Sequence, residues 1–304
     1  MSNSYHNIAF KEITLQDKMI ISTFLQQENF MISDITFGNL FIWRLARKIE
    51  FTIIENCLVI KTTYPNQKPF VFFPIGMGDK IRCIKILQQY FYAQNMPLEF
   101  HSLEKNNLNT LIHIFGNNIH YNLNRDRSDY IYNTTNLIHL SGRKYHKKKN
   151  HLNRFFQEYN GFTFEKITES NIHELQTIWQ QWDNAGDDIG LQNESKGIMS
   201  ALQHYNDLDF MGGLLRFDSN IIAFSFGEVI SPKLCVIHIE KANTAYRGAY
   251  QAMNQQLLSH CFYEVEYVNR EEDLGIEGLR KAKLSYHPDI LLEKYEAIIE
   301  YKIL

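Results

Sequence analysis

The sequence lacks any apolar run approaching the roughly 18 to 20 residues that cross a bilayer, and its opening, MSNSYHNIAFKEI, lacks the basic and then apolar order of a secretory leader. Both absences lead us to expect a cytoplasmic protein with no membrane span. Cysteine is scarce: Cys57, Cys83, Cys235 and Cys261 stand singly among apolar neighbours, without the close spacing of a zinc site or a CxxC redox pair, and read as small buried hydrophobes. An excess of one charge is missing too. With a formal net charge of -3, no global field drives the chain onto nucleic acid or anionic lipid, so any attraction is local. There is no HExxH pair, no G-x-S-x-G elbow and no Walker loop, and His146 and His151, set among lysines, make a poor site for a dication. No metal and no tightly bound cofactor are expected.

What is present suits a globular α+β protein. At 304 residues the chain exceeds the roughly 250 to 300 residues at which a single core stops growing, so two domains are the default. QDKMIISTFLQQE at 16–28 has helical spacing, SDITFGNLFIWR reads as a loop entering a buried aromatic stretch, and FTIIE, CLVIKTTY and PFVFFP read as an antiparallel meander. A helix over 78–94, the strand LEFHS and a helix over 105–115 follow. After a strand in YNTTNLIHL and a basic helix, the order repeats: helices over 171–182 and 191–205, strands DFMGGLLRFD, NIIAFSFGEVI and KLCVIHIE, a helix over 247–261, the strand EVEYV, a helix over 275–283 and a closing strand. The repeated order predicts two domains, 1–135 and 136–304, each a mixed, mainly antiparallel sheet flanked by helices.

The one local concentration of charge is RKYHKKKNHLNR, which packs Arg143, Lys144, Lys147, Lys148, Lys149 and Arg154 into about three helical turns beside an apolar seam of Leu152, Phe155, Phe156 and Tyr159. Like charges at i and i+4 repel by roughly 0.2 to 0.5 kcal/mol, so the cluster reads either as a phosphate-binding face, through Lys144, Lys147, Lys148 and Arg154, or as a solvated basic one. At the end of KLCVIHIE, Glu240 precedes Lys241, and Glu228 is expected at the corresponding end of the strand before it. Each carboxylate is a candidate base for acyl transfer to an amine, and each reads equally well as half of a structural ion pair.

Three blocks, SGRKYHKKKNHLNRF, IEKANTAYRGAYQAMNQ and YVNREEDLGIEGLRKAKLSYHP, resemble stand-alone relatives of the phosphatidylglycerol lysyltransferase C-terminal domain. The resemblance implies two tandem N-acetyltransferase-like (GNAT, acyl-CoA N-acyltransferase) domains, the second carrying the active site. It also implies transfer of an aminoacyl group from a charged tRNA. In the lysyltransferases the acceptor is a lipid head group and the domain is fused to a membrane part. No such stretch is visible here, so the acceptor, whether small molecule, peptide or lipid head group, stays open.

Within that resemblance YRGAYQA falls where acetyltransferases hold the coenzyme A diphosphate in R-x-x-G-x-A/G. Arg247 and Ala252 match, but Tyr250 replaces the middle glycine and Gly248 comes two places early. A side chain there obstructs the close approach of phosphate, which favours aminoacyl-tRNA over acyl-CoA as co-substrate. Asn269 stands where acetyltransferases carry a donor-contacting asparagine, Arg280 and Lys283 share a helix face as donor contacts, and Tyr286 falls near the tyrosine that protonates the leaving group. Asp273 reads as a helix cap. A binding module that holds RNA or another polyanion without chemistry is the alternative reading.

Overall fold

The computed structural model describes residues 8–182 and 186–300; the first seven residues of the opening segment lie outside it. The chain forms two compact units, residues 1–128 with 292–304, and residues 129–291. The first contains β1 (Lys11–Glu12), α1 (Lys18–Leu25), α2 (Phe37–Trp43), β2 (Lys48–Ile54), β3 (Cys57–Thr63), β4 (Phe70–Val71), α3 (Lys80–Ala93), β5 (Leu98–Leu103), α4 (Lys105–Phe115) and β6 (Ile119–Leu123). The second contains β7 (Asp129–Asn133), α5 (Thr134–His139), α6 (His146–Glu158), β8 (Thr163–Lys166), α7 (Ile172–Trp182), α8 (Ile189–Gln203), β9 (Met211–Phe217), β10 (Asn220–Ser231), β11 (Leu234–Ala242), α9 (Ala249–Cys261), β12 (Tyr267–Asn269), α10 (Glu277–Leu284) and β13 (Ile290–Leu292). The last strand, β14 (Tyr295–Ile299), belongs to the first unit.

The two sheets share one plan. Their orders are β1-β2-β3-β4-β5-β14-β6 and β8-β9-β10-β11-β12-β7-β13. In each, the fourth and fifth strands run parallel while the neighbouring pairs are antiparallel. In each, too, the sixth place is taken by a strand from the far side of the sequence midpoint. The closing strand is therefore corrected: β14 pairs antiparallel with both β5 and β6 rather than completing the second sheet. The expected boundary at 135/136 differs from the compact units for the same reason, since β7 lies in the second unit and 292–304 in the first.

Local chemistry accounts for the other differences. YNTTNLIHL is strand only as far as Asn133, whose side chain accepts from the Asn136 amide at 3.0 Å and starts α5. Thr36 caps α2 in the same way, and that helix is buried on almost every side, so no helical period marks it in the sequence. The first core gathers Cys83, Ile84, Leu87 and Phe91 of α3 and Leu108 and Leu111 of α4 against β3 and β5. The second gathers Ala252, Met253 and Leu257 of α9 against Cys235 and Ile237 of β11, with Leu152 and Phe155 of α6 outside them. All four cysteines are free and buried. Among the described residues no helix is long and apolar enough to cross a membrane.

Candidate active site

A bulge in β11 sets the geometry of the second unit. Phe226 pairs with Ile239 and Gly227 with Ile237, so His238 is the extra residue and the alternation of faces shifts by one. Before the bulge Cys235 and Ile237 face α9. After it Glu240 does, accepting from Asn254 Nδ2 of α9 at 3.1 Å, while Lys241 faces α7 and α8 and pairs with Glu194 at 2.7 Å. The register also corrects the expected correspondence of the two carboxylates: Ser225 lies opposite Glu240, and Glu228 lies opposite Val236.

Beside the bulge the sheet opens. β11 and β12 pair only from Leu234 to Val236 and Tyr267 to Asn269, after which the chain leaves the sheet at Arg270 while β11 continues to Ala242. Arg270 bridges the gap, donating from Nη2 to Glu240 Oε1 at 2.8 Å, with its guanidinium 5.0 Å from the Tyr286 ring and 5.9 Å from that of Tyr132. Its Nη1 is buried and has no partner among the described residues. An unmatched buried donor costs roughly 1 to 3 kcal/mol, and a ligand oxygen there would remove that cost. From α6, Lys148 places Nζ 4.2 Å from the centre of the Tyr286 ring. Burial, reinforced by the charge of Arg270, pulls the Lys148 ammonium down to about 8, so its amine is within reach at neutral pH. Burial pushes the phenols of Tyr286 and Tyr132 up, which keeps both as proton donors.

The loop carrying Arg270 is held from below by residues that the sequence pointed to as donor contacts. Asn269 donates to Asp129 at 2.9 Å and accepts from the Glu271 amide at 2.7 Å. The buried ammonium of Lys283 donates to the carbonyls of Arg270, Glu271 and Glu272. Arg280 grips Asp273 with two bonds of 2.9 and 2.8 Å, and Asp273 also accepts from Tyr130 and from the Gly275 amide. Beside the loop, His238 lies between Glu228 and Glu271 at 2.8 Å from each. Burial disfavours its charge, but the two carboxylates outweigh burial and push it up to about 9.

The rest of the predicted set lies on α6, in the turn just before it and at the start of α9. Lys144, Lys147 and Arg154 are exposed, Arg154 pairing with Glu158 at 3.4 Å. Gly248 caps α9 with φ +91° and sits against α6, where a Cβ would meet the His151 carbonyl oxygen at 2.9 Å and Phe155 at 3.0 Å. Arg247, also exposed, donates its amide to the Tyr159 hydroxyl at 3.2 Å. The structure thus joins Glu240, Tyr286 and Lys148, and sets Glu228, Asn269, Arg280 and Lys283 around the supporting loop. The sequence reading passed over Arg270, Tyr132 and Asn254; for Arg270 the available signal was its place directly after a short strand, next to Asn269. On the other face of β11 a cavity of about 460 Å³ is lined by Trp179, Trp182, Leu191, Glu194, Lys241 and Tyr250 among others.

This opened sheet, with a first sheet of the same strand order, is the fold of tandem GNAT proteins. One such protein, from the clavulanic acid biosynthesis pathway, superposes over 97% of this chain and 99% of its own with a TM-score of 0.50 at 7% identity. More narrowly, the phosphatidylglycerol lysyltransferase C-terminal family matches residues 27–298, and the chain belongs to that family. A conserved protein of unknown function from Bacteroides thetaiotaomicron is similar over 97% of this chain and all of its own, with 33% identity and a TM-score of 0.91. L-PGS from Bacillus licheniformis shares the fold over 98% and 96% of the two chains, at 16% identity and a TM-score of 0.68. The Mycoplasmoides gallisepticum protein MYCGA3080 is 26% identical over 175 residues, 57% of this chain and 56% of that protein, so the match spans about half the length of that relative.

Proposed function

We propose that the second unit is an aminoacyltransferase centre that moves an aminoacyl group from a charged tRNA to an amine or hydroxyl acceptor. Family membership supports the broader class, a transferase. The observation that carries the finer reading is the pair of partly buried cationic groups, Arg270 and Lys148, beside the buried Tyr286 phenol in the opening between β11 and β12, with one guanidinium donor unmatched.

The chemistry follows from those groups. The neutral amine of Lys148 takes the proton of the attacking nucleophile. Arg270 Nη1 donates to the oxyanion formed on the ester carbonyl, stabilisation that acts only as charge develops. As the ester bond breaks, the ribose oxygen leaves with the Tyr286 phenol proton, and the Lys148 ammonium returns a proton to the phenolate. Glu240 and Asn254 orient Arg270. The exposed Lys144, Lys147 and Arg247 meet the phosphates of the donor, and the cavity beyond β11 receives the rest of a substrate. An acyl-CoA donor draws less support, because Gly248 meets α6 and Tyr250 stands in the following turn.

Filter binding of charged tRNA and titration with acetyl-coenzyme A, both across a salt series, test the donor. Each phosphate neutralised adds roughly 0.7 to 0.9 to the log-log slope. We expect a steep slope for tRNA that flattens when Lys144, Lys147 and Arg247 are replaced by Ala. Micromolar acetyl-coenzyme A binding, with salt-insensitive tRNA binding, contradicts the choice of donor.

A further inference from the structure

The cavity on the α7 and α8 face of β11, about 460 Å³ in volume, has the size of a small-ligand site. Its walls are largely aromatic: Trp179 and Trp182 come from α7 and Tyr250 from the first turn of α9. Trp182 is half-buried and stacks on Phe224 of β10, ring centres 6.0 Å apart at 27°. Trp179 is fixed by its indole N–H, which donates to the Ser195 carbonyl of α8 at 3.3 Å. Because α9 packs on the opposite face of the sheet, the presence of Tyr250 in the lining means that the cavity reaches round the end of β11.

Among the described residues that line it, only Glu194 and Lys241 carry charge, and the two cancel. Lys241 Nζ lies 2.7 Å from Glu194 and 5.6 Å from the centre of the Trp179 ring. A carboxylate beside an indole face is the arrangement that holds an organic ammonium ion, so Lys241 occupies the place that such an ion would take. A second ammonium entering the cavity meets a like charge, and an entering carboxylate has to displace Glu194 from Lys241. The other polar groups of the lining include Gln181, Asn243 and Thr244, which are neutral and offer both donors and acceptors.

We infer that this cavity binds an uncharged aromatic ring of the charged tRNA, carried by the aminoacyl group or by the terminal base, in preference to an ammonium-bearing side chain. Flat aromatic walls gain from stacking whatever the identity of the ring, and the neutral amides and hydroxyl suit the polar edge of a heteroaromatic one. The family's descriptive name points to a lysyl group, and Lys241 is the reason this chain should not favour one. The assignment of the ring to charged tRNA rests on the transfer reading given above, whereas binding of the ring does not.

Isothermal titration of the whole chain with phenylalaninamide, adenosine and lysinamide tests it. Phenylalaninamide or adenosine should bind saturably and more tightly than lysinamide, and whichever binds identifies the carrier of the ring; the α-ammonium common to the two amides cancels from their comparison. Trp182→Leu keeps an apolar wall without the flat face and should weaken that binding about tenfold. Lys241→Met frees Glu194 and the Trp179 face and should tighten lysinamide binding about tenfold, a gain that no loss of fold can give. Tighter binding of lysinamide than of either ring compound to wild type, no saturable binding of any of the three, or affinities that neither substitution alters overturns the site. Failure of wild type to discharge charged tRNA, with ring binding and both substitution effects intact, sinks the transfer reading and leaves the site standing.

Discussion

At the scale of the residue, Lys148 and His238 make opposite claims on pH. The Lys148 ammonium, pulled down to about 8 by burial and Arg270, should give a transfer rate that rises with pH through about 8. Lys148→Met should lower the rate by about 10² to 10⁴ and abolish the rise, as seen in a pH-rate profile; an unchanged profile removes Lys148 as the base. His238 is pushed up to about 9 when folded, against an ordinary value of 6.5. A histidine with a raised folded pKa contributes stability that is complete below the unfolded value and is lost as pH climbs through the folded one. The contribution, on the order of 3 kcal/mol, should therefore fade between pH 6.5 and about 9. The check is the difference in urea midpoint between wild type and His238→Gln, which cancels the opposing titration of Lys148. A difference that does not vary with pH argues against a charged His238.

At the scale of the element, the contact of α6 with α9 fixes where Lys148 stands. Gly248→Ala puts a Cβ 2.9 Å from the His151 carbonyl oxygen at φ +91°. Strain of that kind costs about 1 to 3 kcal/mol, and moving α6 displaces Lys148. We expect a lower urea midpoint together with a lower rate, whereas Lys147→Ala, on the exposed face, should leave the unfolding free energy within about 0.5 kcal/mol of wild type. An unaltered midpoint in Gly248→Ala shows that the helices do not meet there. The same elements show what the sequence made legible. β10, β11 and α9 were readable because apolar runs and 3.6-residue spacing come from burial, which acts locally. The helix α2 was not, since near-complete burial erases its period. Arg270 was not either: its place directly after a short strand is a weak local mark, and its role depends on Glu240, thirty residues earlier, and on where two strands part.

At the scale of the whole chain, tandem order was legible but strand exchange was not. β14 reads as a closing strand wherever it goes, and only the register with β5 and β6 decides its sheet. Ala297 and Ile299 are buried in the first core, and Lys294 pairs with Asp34. A chain ending at residue 291 should therefore lose amide protection across β2 to β6 in hydrogen exchange; retained protection contradicts the assignment of β14. The central claim concerns the opening between β11 and β12, and the discharge of labelled aminoacyl-tRNA in the presence of mixed amine, peptide and lipid acceptors measures it most directly. Wild type should move the label from tRNA into a new acyl product, and Arg270→Gln should do so at least a hundredfold more slowly, the scale of losing an oxyanion donor. Discharge at the same rate in Arg270→Gln, or no discharge by wild type with any of these acceptors, contradicts the account.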